Sequence, residues 1–502
     1  MSDAHEREGT ERQELSRALP PIQVASLALG CIIGFGCFVL PGDFMRMAGP
    51  LGAALGIALG GVAVVTIAQS YGLMIKTLPV AGGEFAYAYH TAGRYHAFIC
   101  GWLLTLGYLS IVPLNASALP ILGKFLAPSL FTRGYLYTIA GFDVYVGELV
   151  LASAAIIIVG YFQQRGVSQT GKLQFLMTAI LVTAVVLIGG DTLLSPEASL
   201  ENMKPPFPTE GSAVAAVLSV VAIAPWLYVG WGTLPQAAEE FDFSPSHAKR
   251  LMTAAITAGA LMYVVVTLST AAVMPWQDLL ALRTGWPTGE TVRLSLGRPG
   301  LVFLGVAVTM AILTGINGFF MASSRLLFSM GRAKVLPSWF ATVHETHRTP
   351  YNAILFTGVV SLIAPWMGRE VILWIVNMSA VGTAVGYLYT STAAFLVARR
   401  MAGQKEADRQ VVVSAVGIAL ATGFLVLLLV PGMPGFMAKQ SWIAFAGWLA
   451  LGAIFFLVKA PSYRAMSGRE LDELILGQDG SLVSDASALV GQTDASPGTA
   501  AP

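Results

Sequence analysis

The sequence predicts an all-α polytopic membrane protein, and three observations carry that expectation. Apolar runs near 20 residues recur along the chain, the length that crosses a hydrocarbon core of about 30 Å at 1.5 Å per helical residue. Only 11% of the 502 residues are charged, whereas soluble globular domains carry about 25%. The chain is 55% hydrophobic, with a mean hydropathy of +0.69. A net charge of +1 supplies no basic or acidic field to attract nucleic acid.

Twelve spans are predicted, near 22–45, 50–76, 96–122, 145–162, 172–190, 213–238, 251–275, 299–330, 351–367, 370–397, 411–430 and 441–459. With the N-terminus inside, the inner segments hold 19 Lys and Arg and the outer segments 9, the asymmetry that the positive-inside rule demands. Both termini are therefore expected in the cytoplasm, with the chain multi-pass in the plasma or inner membrane. Residues 1–21 form a cytoplasmic segment without a removable signal peptide, so the first span serves as its own insertion signal. Past Lys459 the sequence turns polar. Residues 461–502, ending "DASALVGQTDASPGTAAP", read as a disordered cytoplasmic tail, and "GRELDELILG" (468–477) is a short surface helix or a frayed part of it. Cys31, Cys37 and Cys100 fall in apolar spans without metal-ligand spacing and read as small buried apolar residues.

Two spans are interrupted. "LALGCIIGFGCFVLPG" (27–42) carries Gly34-Phe35-Gly36, and "APWLYVGWGTLPQAAEE" (224–240) carries Gly230-Trp231-Gly232, 196 positions later. Each glycine inside a helix costs about 1 kcal/mol relative to alanine, so two within three residues predict local unwinding. Glycine also serves close helix packing, the reading preferred for Gly52, Gly56 and Gly60. The matched pair argues otherwise, because Gly-interrupted segments in corresponding positions of two halves point to a transport site. Backbone unwound at membrane depth must be buried in protein or line a wet cavity. There its freed amides and carbonyls can grip a small charged solute.

At these residues the chain resembles the amino acid–polyamine–organocation (APC) superfamily of permeases, over roughly 20–460. "GCIIGFGCFVLPG" is similar to the family's broken first helix. "LPVAGGEFAYAY" (78–89) resembles the element between spans two and three, "RGVSQTGKLQ" (165–174) the opening of span five, and "PWLYVGWGTLPQAAEEF" the broken sixth helix. "NGFFMASSRLLFSMGRAKVLPSWF" followed by Thr349-Pro350 is similar to the eighth-span signature. The resemblance implies a LeuT-type 5+5 inverted repeat plus two helices: 22–190, 191–397 and 398–460. It also implies a secondary transporter working by alternating access as an antiporter or proton symporter, monomeric or homodimeric. Such a protein needs no cofactor and is not an enzyme, and no Walker A, HExxH or nucleophile constellation is present.

Carried over residue by residue, the resemblance places a substrate carboxylate on the amides of Phe35 and Gly36, beside Gly34. The ammonium falls on carbonyls of Ile32, Ile33, Trp226 and Val229, beside Gly230. Trp226 closes over the substrate, and Thr105 and Phe320 match pocket positions more loosely, with Tyr228 and Trp231 near the same space. Two departures stand out. Phe35 replaces the usual hydroxyl residue, and Leu181 occupies the place of a fifth-span lysine.

Ionisable residues within spans are functional by default, and mid-membrane positions offer almost none. Glu84, Glu239, Glu240 and Arg325 cluster near the inner side and form a candidate cytoplasmic gate; solvated helix ends are the duller reading. Asp43 lies at the outer entrance. Without a mid-membrane carboxylate, a neutral amino acid fits better than a cation, since an unpaired buried charge costs several kcal/mol. The alternatives are a polyamine- or ethanolamine-type amine transporter and a transporter-like substrate sensor. A Na⁺ site at Ser323 and Ser324 is a minority alternative to hydroxyls bonding within their own helix.

Overall fold

The computed structural model describes residues 17–477 apart from 140, 141, 283–285, 368, 369, 402 and 404. Among the described residues, ten helices are long and apolar enough to cross a membrane. The predicted sixth and ninth spans fall instead on shorter apolar helices, Ala213–Ala222 and Tyr351–Met367. The sixth is short because helix Ala213–Ala222 gives way to a series of short helical and 3₁₀ turns running to Glu240. In the ninth, the α-helix ends at Ser361 and a 3₁₀ turn, Ala364–Met367, contains Pro365.

The first segment begins with proline at the helix start, Pro21–Ile33, where the missing N–H is no loss. It halts at Gly34, resumes as Gly36–Val39, and turns at Leu40 into the long helix Pro41–Thr77. That helix bends at Gly49, just before Pro50, so the predicted gap between spans one and two is a kink. The third predicted span is two helices, Arg94–Leu109 and Ile111–Leu126, meeting at Ser110.

Outward faces match a bilayer rather than water. On Pro41–Thr77, Leu51, Leu55, Leu59 and Val62 share one face at spacings of four, four and three, and all are exposed. Ile443, Leu457 and Val458 do the same on Lys439–Ala465, each at least 65% exposed. An apolar stripe of this kind on a helix long enough to span is a lipid-facing surface.

Two features differ from the sequence expectation. An antiparallel hairpin, Tyr135–Ile139 with Phe142–Tyr145, interrupts the otherwise helical chain between the third and fourth spans. Its aromatic and β-branched residues suit a pleated pair. The expected tail also starts later. Helix Lys439–Ala465 runs past Pro461, and Gly468–Leu476 is a helix that buries Leu471 and Ile475. It is fixed by Tyr89 Oη to Asp472 (2.8 Å) and Lys334 to Glu470 (3.0 Å). Residues 1–16 and 478–502, the remainder of the two predicted terminal segments, lie outside the described residues.

Candidate functional site

The first break is built at Gly34, whose φ of 44° with ψ of −166° is open to glycine and strained for other residues. Phe35 then caps the resumed helix: the N–H groups of Phe38 and Val39 bond its carbonyl. Amides at the start of such a turn lack intrahelical acceptors, and the N–H groups of Phe35 and Gly36, both buried residues, stand at that start. The second break is of another kind. Residues 229–232 form a 3₁₀ turn, followed by the turns Thr233–Gln236 and Ala238–Glu240. The chain there is tightened, not unwound as the glycine pair predicts, because i→i+3 bonds replace i→i+4 bonds.

The two breaks meet backbone to backbone. A Cβ on Gly230 would lie 2.3 Å from both Cys31 C and Ile32 N, so only glycine allows this approach. Around the contact, Phe35 and Trp226 meet edge-on with ring centroids 6.4 Å apart. Gly36 packs under Trp226 and the Tyr263 hydroxyl. Phe35, Trp226 and Val229 are buried.

Hydroxyls bond to carbonyls in and beside both breaks. Tyr263 Oη lies 3.2 Å from the carbonyls of both Ile32 and Ile33. Thr233 Oγ1 donates to the Gly230 carbonyl (2.8 Å) and Tyr108 Oη reaches that of Gly232 (3.0 Å). Thr178 donates to Ser26 O (2.9 Å) and Thr314 to Gly30 O (3.0 Å). Trp286 Nε1 donates to Phe38 O (2.8 Å) and covers the other end of the break. Sequence reasoning missed Tyr263, Tyr108 and Trp286, because nothing in the two apolar spans, or in the loop that carries Trp286, marks which aromatic hydroxyl or indole meets the backbone of a break.

The structure brings Arg325 and Glu240 together in a buried, two-pronged ion pair, Nε–Oε1 at 2.8 Å and Nη2–Oε2 at 3.2 Å. Beside it Arg332, absent from the predicted cluster, pairs with Glu239 at 3.3 Å, and Glu239 also accepts from the Ala81 N–H. The N–H groups of Ala18 and Leu19 bond Glu240 O, tying the described N-terminal end to the same place. Glu84 stands apart. It has no cation at ion-pair distance among the described residues; Tyr108 Oη (3.0 Å) and Gln236 Nε2 (2.5 Å) hold its two oxygens. Glu84 opens the helix Glu84–Ala92, between spans, and burial pushes its carboxyl up to about 7.

Three further predicted positions have these local contacts. Thr105 donates to Gly101 O and lies 3.9 Å from Met330 Sδ. The Phe320 ring packs over Gly160 and Gly358. Asp43 is half-exposed and pairs with Arg46 at 2.8 Å. The Ser323 and Ser324 hydroxyls donate to Phe319 O (2.5 Å) and Met321 O (2.9 Å) on their own helix. Arg325 Nη1 sits 3.2 Å from Ser324 Oγ, a positive charge beside that hydroxyl. Leu181 is buried; on the same helix, Gln174 meets Asn317 at 2.9 Å, and Asn317 meets Gln163 at 2.8 Å.

The described residues form a many-helix membrane bundle in which two interrupted segments touch, and transporters of small solutes are among the proteins it resembles. The family model described as amino acid permease matches residues 19–456, and the chain belongs to that family. A methylthioribose transporter from Bacillus subtilis (strain 168) is 24% identical, covering 89% of this chain and 94% of its own length. The branched-chain amino acid permease BcaP of the same organism is 23% identical over 89% and 93%. The human large neutral amino acids transporter small subunit 2 is 25% identical over 70% of this chain and 64% of its own length.

Proposed function

We propose that this chain moves a neutral amino acid across the cell membrane as a secondary transporter, by alternating access, without making or breaking covalent bonds. The twelve apolar segments are read as a LeuT-type 5+5 repeat with two added helices, both termini in the cytoplasm. The observation that carries the reading is the contact of Gly230 with the backbone at Cys31–Ile32, beside the Phe35 and Gly36 amides. In this reading an α-carboxylate lies on those amides, beside Trp226 and the Tyr263 hydroxyl. The Arg325–Glu240 and Arg332–Glu239 pairs form the cytoplasmic gate in this reading.

One observation favours a second reading, an uncharged polar solute. Tyr263 already bonds the Ile32 and Ile33 carbonyls, the acceptors an ammonium would need, and a relative is named for methylthioribose. Counterflow in proteoliposomes separates the two. Radiolabelled L-leucine exchanging against unlabelled neutral L-amino acids supports the first. Exchange of methylthioribose alone supports the second, and exchange of ethanolamine or putrescine alone sinks the Phe35–Gly36 assignment. Binding of these solutes without flux would make the protein a sensor.

A further inference from the structure

The Tyr108 hydroxyl has one proton and two acceptors. Its oxygen is 3.0 Å from Glu84 Oε1 and 3.0 Å from the carbonyl of Gly232, the last glycine of the second break. A single O–H serves only one of them at full strength. If Glu84 is ionised, it takes that proton, and the buried Gly232 carbonyl, which as the N-cap of Thr233–Gln236 keeps its helical bond, loses its tie to Tyr108. If Glu84 is protonated, its own O–H donates to Tyr108, which is then free to donate to Gly232. Gln236 Nε2 holds the other carboxyl oxygen, so both contacts join Glu84 to the segment that carries the break.

From this geometry we infer that Glu84 is a proton-binding site of the transport cycle, whose protonation fastens the Gly232 turn to the Tyr108 helix and whose ionisation releases it. The inference rests on the transporter reading above and adds the proton as the coupled ion.

The surroundings support it from every side. Glu84 is fully buried. Tyr87 lies on its own helix, Tyr71 on Pro41–Thr77, Cys100 and Tyr108 on Arg94–Leu109, and Tyr387 on the helix ending at Arg400; all are close enough to feel its charge. The Tyr71 hydroxyl already leans on the Glu84 carboxyl at longer range, and the Tyr87 hydroxyl has no hydrogen-bond partner among the described residues. The buried arginines Arg325 and Arg332 are engaged by Glu240 and Glu239. A buried carboxyl among neutral donors, with no cation at ion-pair distance among the described residues, is held in its neutral form by desolvation, and burial places its titration at about 7. That is where a modest pH difference across a membrane changes its state. The three acids of this region therefore divide into two gate partners and one proton carrier.

Two measurements test this. In purified wild-type protein, the infrared carbonyl stretch of a protonated carboxyl should fade with a midpoint near pH 7 and be missing from Glu84→Gln; this needs no substrate. If no Glu84-dependent band titrates between about pH 5 and 9, the inference is overturned even if transport is found. In proteoliposomes, L-leucine uptake should be raised by an inward proton gradient, with a pH profile bending near 7 and steepening toward about tenfold per pH unit, the limit for one proton. Glu84→Gln should flatten that profile, and Tyr108→Phe should shift its midpoint. A gradient response identical in Glu84→Gln also overturns it. If leucine is not carried at all but the band titrates, the substrate assignment fails and the proton site stands.

Discussion

Removing the Arg325 guanidinium strands the Glu240 carboxylate where water does not reach, since both side chains are at most 1% exposed. Breaking a buried pair from one side costs about 3–5 kcal/mol, whereas replacing both members by neutral side chains of like volume is often close to neutral. Arg325→Ala should therefore lower thermal stability sharply, and Arg325→Met combined with Glu240→Gln should recover most of it. Equal losses in the single and double variants would show that the pair does not hold this end shut. Tyr263 makes a different prediction. Tyr263→Phe leaves the Ile32 and Ile33 carbonyls without their hydroxyl, at about 1–3 kcal/mol for unsatisfied buried acceptors. If an ammonium competes for those carbonyls, the variant should be less stable alone yet gain more from saturating L-leucine than the wild type does. An unchanged or smaller gain points to the uncharged solute. The sequence made Glu239, Glu240 and Arg325 conspicuous because charge in a membrane protein is rare. It could not pair them, since Arg332 lies one loop from solvent in the reading, and it could not separate Glu84, because only coordinates show that its partners are neutral.

At the level of elements, glycine content located both interruptions but not their form. Gly34 reaches a positive φ that other residues avoid, while residues 229–232 keep helical sign and only tighten. Intrinsic preference is alike for the two triplets; the neighbouring backbone decides. Gly34→Ala should cost about 1–3 kcal/mol from strain and reduce solute-induced stabilisation. Gly230→Ala should act through collision, because its new methyl meets main chain that cannot rotate away. Ligand-dependent melting distinguishes them: Gly34→Ala weakens a response that remains, whereas Gly230→Ala, by parting the two segments, removes it. The helix Gly468–Leu476 escaped the sequence reading as a firm element because nine residues are too few to persist alone. It is secured by docking Leu471 and Ile475. Leu471→Ala should cost about 2–5 kcal/mol at that contact, read as faster proteolysis after residue 467 with little change in overall melting.

Over the whole molecule, membrane class and most spans were legible, because bilayer thickness imposes a length that composition reveals. The hairpin and the two short spans were not, since their shape follows from what packs around them. One bulk property follows from Glu84. Its carboxyl is raised from 4.5 to about 7 in this conformation, so its contribution to stability is intact below the ordinary carboxylate value and is lost as pH rises through about 7. The difference in melting temperature between wild type and Glu84→Gln should therefore grow in favour of the variant from pH 6 to pH 8. A difference independent of pH would contradict that buried titration.

No side chain separates Gly230 from the peptide between Cys31 and Ile32, and that has a mechanical consequence. Under the proposed transport cycle, two stretches of main chain in direct abutment would move as a single lever. The pivots would then lie beyond it, at the kinked and 3₁₀ stretches on either flank, and the proposed grip on the cargo would travel intact while the outer arms swing.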